Sequence, residues 1–383
     1  MKRLIYLLLT LLLLTGSACT HRDGGTSAGT EQTTDTVALK YAQGLSIEKG
    51  DGWHKVTVKD PWKPGKTLHT YYLVPRSLES VDMSRFKDGT VVRIPLERTV
   101  VYSSVHASVA GELCGSYKDI CGVCDAEYFT IPEITSAVKS GKIADCGSSM
   151  APTKEVILSL RPDAILLSPF ENGGYGVLEK LGIPIIELAD YMEMEPLGRA
   201  EWIKFIGLLY GKEKEAESIF ESSEKTYNDL AQKAVKESTQ PSVVTENVIN
   251  GVWFVPGGKS YMARLLHDAG AKYVFSDDTS TGSLQLDFAK VFERANDADY
   301  WLIKTSTPGF SHKTLESEYA LNSHLKAFKR DGGLWACDTQ HTTLFNDFPF
   351  HPELLLKDYI AIFHPELLQS EGYEMKYYKK ITD

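Results

Sequence analysis

Along residues 99–211, short apolar runs alternate with amphipathic stretches. TVVYSSV precedes HASVAGELCG, DICGVC precedes PEITSAVKSG, DAILLSP precedes GVLEKLG, and IPIIELA precedes LGRAEWIKFIGLLYG. Short runs without polar alternation are strands covered on both faces, and the stretches between them carry helical spacing. The pattern predicts strand–helix units and a parallel sheet. Residues 212–238 contain no proline or glycine, and Ala216, Ile219, Phe220, Tyr227 and Leu230 recur at helical spacing. That predicts one long helix of about 40 Å. The alternation then starts afresh: SVVTENV before SYMARLLHDAG, LDFAKVFERA before DYWLIKT, LKAFKRDG before LWACDTQ, and finally PELLLKDYIAIFHPELL. The expected fold is α/β, with two Rossmann-like lobes of mainly parallel strands joined by one long helix.

Ahead of this pattern, residues 37–75 are rich in Tyr, Trp, Val and Thr, with turn signals at GDGW and WKPGK. They read as a β-hairpin extension of the first lobe. The first residues, MKRLIYLLLTLLLLTGSACT, place Lys2 and Arg3 before an apolar stretch over residues 4–14. This is an export signal. As a helix the stretch rises about 16 Å, against a bilayer core of about 30 Å, so it does not span. Cys19 after Gly16, Ser17 and Ala18 resembles a lipobox, which makes Cys19 the lipidated first residue; ordinary cleavage after Ala18 is the alternative. A Thr, Ser and Gly-rich run follows as a tether. The expected organisation is residues 1–18 signal peptide, 19–36 lipidated tether, 37–211 first lobe, 212–238 linking helix and 239–383 second lobe.

The 383 residues are 43% hydrophobic and 24% charged, ample for two lobes. A net charge of -10 without basic clusters argues against nucleic acid as a partner. One motif tempts a nucleotide reading. GVWFVPGGKSYMARLL, residues 251–266, contains GGKS, the tail of a phosphate-binding loop. Trp253 stands where that loop needs its first glycine, so the backbone cannot wrap phosphates. The glycines are instead expected to turn a strand tightly into a helix.

From residue 91 to residue 368 the chain resembles the helix-linked periplasmic substrate-binding proteins of ABC importers, the group of vitamin B12, ferric-siderophore and haem binders. The carriers are PTKEVILSLRPDAILLSP with LGIP at 181–184, ADYMEMEPLGRAEWIKFIGLLYGKEKEA, WFVPGGKSYMARLLHDAGAKY, ADYWL at 298–302 and HPELLLKDYIAIFHPELL. The resemblance implies a ligand cleft between the lobes, limited lobe motion, and docking on the permease transmembrane subunits through an exposed glutamate on each lobe. Glu155, seven positions before Pro162, matches the first. At the second stands Ala289, with Asp287 and Glu293 as nearby carboxylates.

Ligands of open α/β sheets bind beyond the carboxyl ends of the strands, so the loops there are candidate walls. They supply Ser104, His106, Tyr128, Phe170, Tyr175, Tyr191, Trp253, Phe254, Lys259, Tyr261, Lys304 and Phe345 as candidate ligand contacts. Aromatic side chains in glycine-flanked loops suit a planar or aromatic ligand, and Trp253, Tyr175 and Tyr261 lead that set. Lys259, Lys304 and Arg199 suit an anionic chelate, although Arg199 equally braces its helix. His106 is a lone histidine, without the clustered ligands of a metal site. Excluding Cys19, five cysteines remain: Cys114, Cys121, Cys124, Cys146 and Cys337. Buried free thiols, one or two disulfides, and a metal or redox role are all open.

The expectation is a monomeric, membrane-anchored extracytoplasmic lipoprotein, with no cofactor, that captures an iron chelate (siderophore or haem) for an inner-membrane ABC permease. A corrinoid, cobalamin, is the competing cargo. A zinc or manganese receptor and an exported enzyme are lesser alternatives; the chain has no G-x-S-x-G or H-E-x-x-H motif.

Overall fold

The computed structural model describes residues 35–78 and 82–382. The expected signal peptide, Cys19 and the tether up to residue 34 lie outside the described residues. Residues 35 and 36, assigned above to the tether, belong to a strand, Asp35–Val37, paired with Leu45–Lys49.

The N-terminal extension is larger than a hairpin. Asp35–Val37, Leu45–Lys49, His54–Lys59 and Thr67–Pro75 form an antiparallel meander, and Thr90–Ile94 adds a fifth strand parallel to the fourth. Two buried carboxylates tie its first loop down. Glu201 accepts from the backbone N–H groups of Lys40, Tyr41 and Ala42, and Glu193 from those of Gln43 and Gly44. A carboxylate taking several N–H bonds is the strong, charge-assisted kind of anchor.

The first lobe has a parallel sheet in the order Ile185–Glu187, Ala164–Leu167, Thr99–Val101, Ile120–Val123, Ala144–Asp145. The second lobe has Lys272–Tyr273, Ser242–Thr245, Tyr300–Thr305 and Leu334–Asp338 in parallel, closed by an antiparallel edge strand, Tyr378–Lys380. The alternation of apolar runs with helices is realised here because buried parallel strands need covering helices on both faces.

The linking helix is Glu213–Ala234, 22 residues, hence about 33 Å and one turn shorter than expected. Past Ala234 its backbone tightens into three-residue turns, with Lys236 and Glu237 donating to Lys233 and Ala234. Its N-terminal Ala216 and Phe220 join the core of the first lobe, and Tyr227, Leu230 and Ala234 join that of the second. One apolar stripe thus belongs to two cores.

Beside the second sheet lies a three-stranded antiparallel unit that the apolar pattern did not separate: Val248–Ile249, Val252–Pro256 and Ser283–Leu286. Its tight turn is Asn250-Gly251, both at positive φ (51° and 80°), the residues such hairpins select. The five cysteines among the described residues are free, and all but Cys114 are buried. Cys124 and Cys146 directly follow two neighbouring parallel strands, Ile120–Val123 and Ala144–Asp145, and belong to one apolar cluster of the first lobe.

Candidate functional site

The loops at the strand ends enclose two cavities. One, of about 500 Å³, lies between the lobes; Tyr191 and Met192 wall it on one side and Glu246, Phe254, Tyr261 and Lys304 on the other. The other, of about 800 Å³, is on the first lobe, at the ends of Thr99–Val101 and Ala164–Leu167. Tyr102, Met150, Phe170, Tyr175 and Val177 line it. Both volumes are in the range that holds a small-molecule ligand. Tyr191 couples the two, because its hydroxyl donates to the Pro169 carbonyl oxygen (2.5 Å), next to Phe170.

Strand alternation decides which aromatics reach the cavity between the lobes. In Val252–Pro256 successive side chains point to opposite faces. Trp253 and Val255 turn inward; Phe254 turns out and is 40% exposed. Trp253 is 0% exposed, its ring 5.3 Å from that of Trp301 and 6.0 Å from that of Phe288, and its Nε1 donates to the Thr245 carbonyl oxygen (2.9 Å). The expected contact between Trp253 and ligand is therefore corrected: this residue is core, and its neighbour Phe254 faces the cleft. The two glycines that follow are needed for close packing. A Cβ on Gly257 would lie 2.3 Å from the Ser280 carbonyl oxygen, and one on Gly258 2.4 Å from that of Asp278. Ser260 then caps the helix Tyr261–Asp268 by accepting from the Ala263 N–H.

Lys304, at the end of Tyr300–Thr305, pairs with Glu246. Burial would lower the Lys304 ammonium, but the Glu246 carboxylate more than offsets this and holds it above the usual lysine range. Glu246 follows Ser242–Thr245 directly and has φ of 64°, the left-handed region that costs a non-glycine residue energy and that clusters at functional sites. In the other cavity, burial first and then the Glu187 carboxylate raise the Tyr175 phenol far above its usual range, so it remains a donor to Glu187 (2.6 Å).

His106 is also corrected. It is 2% exposed, with Nε2 2.8 Å from Asp190 Oδ1. Asp190 accepts in addition from Arg199 Nε (3.0 Å), and Arg199 donates from Nη1 to the Tyr261 hydroxyl (3.1 Å). Burial alone would raise the Asp190 carboxyl, yet His106 and Arg199 hold it below the usual range. Arg199 is buried, stacked over Tyr261 (5.2 Å) and Phe348 (5.5 Å). This chain of polar groups stands behind the cavity wall and joins the 190–199 segment to the second lobe.

Of the remaining expected contacts, the structure brings Tyr191, Phe254, Tyr261 and Lys304 together at one cavity and Phe170 and Tyr175 at the other. Ser104, Tyr128, Lys259 and Phe345 line neither; Ser103, the cap of the helix Ser104–Cys114, lines the larger cavity in place of Ser104. Sequence reasoning missed Glu246, Tyr102 and Val177. Glu246 could have been found from its position directly after the strand run SVVT. Glu155 is exposed in the first turn of Lys154–Leu160. Ala289 is exposed on Phe288–Ala295, whose cap Asp287 accepts from the Lys290 N–H (2.9 Å).

A second contact between the lobes is pH-sensitive. His351, which precedes the helix Pro352–Phe363, reaches Glu112 of Ser104–Cys114 through Nε2 (2.9 Å) and Glu353 through Nδ1 (3.3 Å). Burial would lower the imidazole, but hydrogen bonds to both carboxylates push it up to about 10. The folded value lies above the unfolded one of about 6.5, so this stabilisation is complete below that pH and is lost as pH rises through about 10. Urea midpoints of the wild type and His351→Gln are expected to differ most near pH 6 and to converge above pH 10. A difference independent of pH would contradict this.

A match to the periplasmic binding protein family spans residues 129–329, more than half the chain. An uncharacterized lipoprotein of Methanocaldococcus jannaschii is 33% identical over 302 residues, 72% of this chain and 71% of the relative. A second uncharacterized lipoprotein of that organism is 26% identical over 308 residues, 77% and 76% of the two chains. Among solved structures, the TroA-like periplasmic binding protein FepB of Veillonella parvula superposes with a TM-score of 0.57 at 18% identity, covering 75% of this chain and 95% of its own. The periplasmic heme-binding protein HutB of Vibrio cholerae gives 0.56 at 17% identity, covering 70% and 99%. The two lobes and the helix between them are thus those of a known architecture, and the chain belongs to the periplasmic binding protein family.

Proposed function

We propose that this chain is the solute-binding lipoprotein of an ABC importer, and that it captures an iron chelate, a siderophore or haem, and hands it to a membrane permease. The observation that carries the reading is the cavity between the lobes, where Tyr191, Phe254 and Tyr261 offer aromatic surface beside the ion pair of Lys304 with Glu246. Aromatic faces bury a planar ligand, and the carboxylates or catecholates of a chelate would compete with Glu246 for the Lys304 ammonium. Capture needs no bond making, only closure of one wall on the other. Anchoring through Cys19 agrees with the lipoprotein relatives, and among the described residues no helix is long and apolar enough to cross a membrane. Glu155, exposed on the first lobe, is the proposed docking carboxylate for the permease. On the second lobe Glu293 is exposed and takes that part where Ala289 cannot.

The test is titration of the purified chain with ferric catecholate, ferric hydroxamate, haemin and cobalamin, followed by tryptophan fluorescence; Trp253 lies directly beneath the cavity wall. An iron chelate is expected to change the emission. Phe254→Ala is expected to weaken that binding about tenfold or more, the worth of about 1.5 kcal/mol of apolar burial, and to leave the melting temperature nearly unchanged. Silence toward all four ligands would overturn the cargo, and a response to cobalamin alone would replace it with a corrinoid.

A further inference from the structure

Far along the chain from the cavity residues, the end of the linking helix meets the end of the helix Pro352–Phe363, where His364 is the capping residue. His364 is 0% exposed. Its Nε2 lies 3.1 Å from the Gly270 carbonyl oxygen, which can only accept, so Nε2 carries a proton. Gly270 has to be glycine for that contact, because a Cβ there would lie 2.6 Å from Nε2. The other nitrogen, Nδ1, is buried and has no hydrogen-bond partner. The nearest acidic oxygen is Glu366 Oε1 at 3.8 Å, too far for a hydrogen bond in either protonation state of the ring. An unsatisfied buried ring nitrogen is costly, and it calls for a partner.

Glu237, just past the linking helix, completes the cluster. One ligand atom from each of Glu237, His364 and Glu366 lies within 4.8 Å of the others. Two ligands of a tetrahedral ion bound at about 2.0–2.1 Å stand about 3.3 Å apart, a gap that rotation of the partly exposed Glu237 and exposed Glu366 closes. We propose that Glu237, His364 and Glu366 bind one first-row divalent cation, zinc by ligand chemistry, with water completing the coordination. Three features support this. The second ring nitrogen of a metal-bound histidine commonly donates to a backbone carbonyl, as Nε2 does here. One imidazole with two carboxylates suits zinc. The C-terminal ends of two helices converge there, and their dipoles favour a cation. The three residues line neither cavity, so the ion would tie the linking helix to the second lobe and leave the cleft free.

The experiment uses the full chain stripped with chelator and titrated with zinc chloride by calorimetry, with melting temperature as a second readout. One zinc per chain and a raised melting temperature are expected. In Glu237→Gln/Glu366→Gln, which removes two accessible carboxylates and leaves the buried histidine in place, binding is expected to weaken at least about tenfold with an unchanged metal-free melting temperature. Cobalt in place of zinc is expected to show visible ligand-field bands without thiolate charge transfer, which separates this site from the buried cysteines. Absence of zinc binding by the wild type, equal binding by the double variant, or a thiolate band would overturn the proposal.

Discussion

Trp253→Ala is expected to lower stability by about 3–5 kcal/mol, the usual cost of deleting a large buried aromatic side chain. The indole packs on Trp301 and Phe288, is closed off from solvent, and satisfies the Thr245 carbonyl through its ring N–H. Its loss would leave a cavity under the antiparallel unit and an unpaired carbonyl, two costs that add. Phe254→Ala, one residue away, is expected to do the reverse: little loss of stability, and weaker ligand binding. Chemical denaturation of the two variants side by side separates a core position from a cleft position. If Trp253→Ala unfolds at the wild-type midpoint and Phe254→Ala does not, the assignment of the two faces of this strand is wrong.

Arg199→Ala is the other large effect, again about 3–5 kcal/mol, because it strands Asp190 in the interior. Asp190 is buried and hydrogen-bonded to His106 and Arg199, which hold its carboxyl below the usual range against the pull of burial. With the guanidinium gone, the carboxylate loses a partner, and Tyr261 and Phe348 lose the cation stacked on them. The same physics predicts a rescue. His106→Leu/Asp190→Leu/Arg199→Met replaces the whole set with apolar side chains and is expected to recover much of the loss, since the cost lies in a buried charge left alone. Denaturant midpoints of the single and triple variants check both. The triple variant is also expected to bind ligand less well, because the Arg199 to Tyr261 bond positions a cavity-lining phenol. A mild single variant, or a triple variant worse than the single, would count against a paired buried charge.

The apolar runs in DAILLSP and DYWLIKT announced buried parallel strands, Ala164–Leu167 and Tyr300–Thr305, because such strands have no solvent face and need no polar alternation. The absence of glycine and proline over 212–238 announced the linking helix, though its end at Ala234 is set by local backbone tightening that spacing does not reveal. The Asn250-Gly251 turn is a hairpin signal in the sequence, and the strand it opens, Val252–Pro256, runs on into the glycines that precede the helix Tyr261–Asp268.

What the sequence determines by itself is therefore the class of fold, the order of its elements and the loops from which a site must be built, since these depend on periodicity and on the conformational limits of single residues. Which face of those loops meets the ligand was decided only by tertiary structure. Trp253 and Phe254 are adjacent aromatics in one strand, and either could have faced the cleft until Trp301 and Phe288 came to rest against the first. His106 looked available until Asp190, 84 positions later in the chain, closed on its ring. Burial and charge pairing are set by residues brought together across long stretches of chain, and no local pattern records which of them will meet.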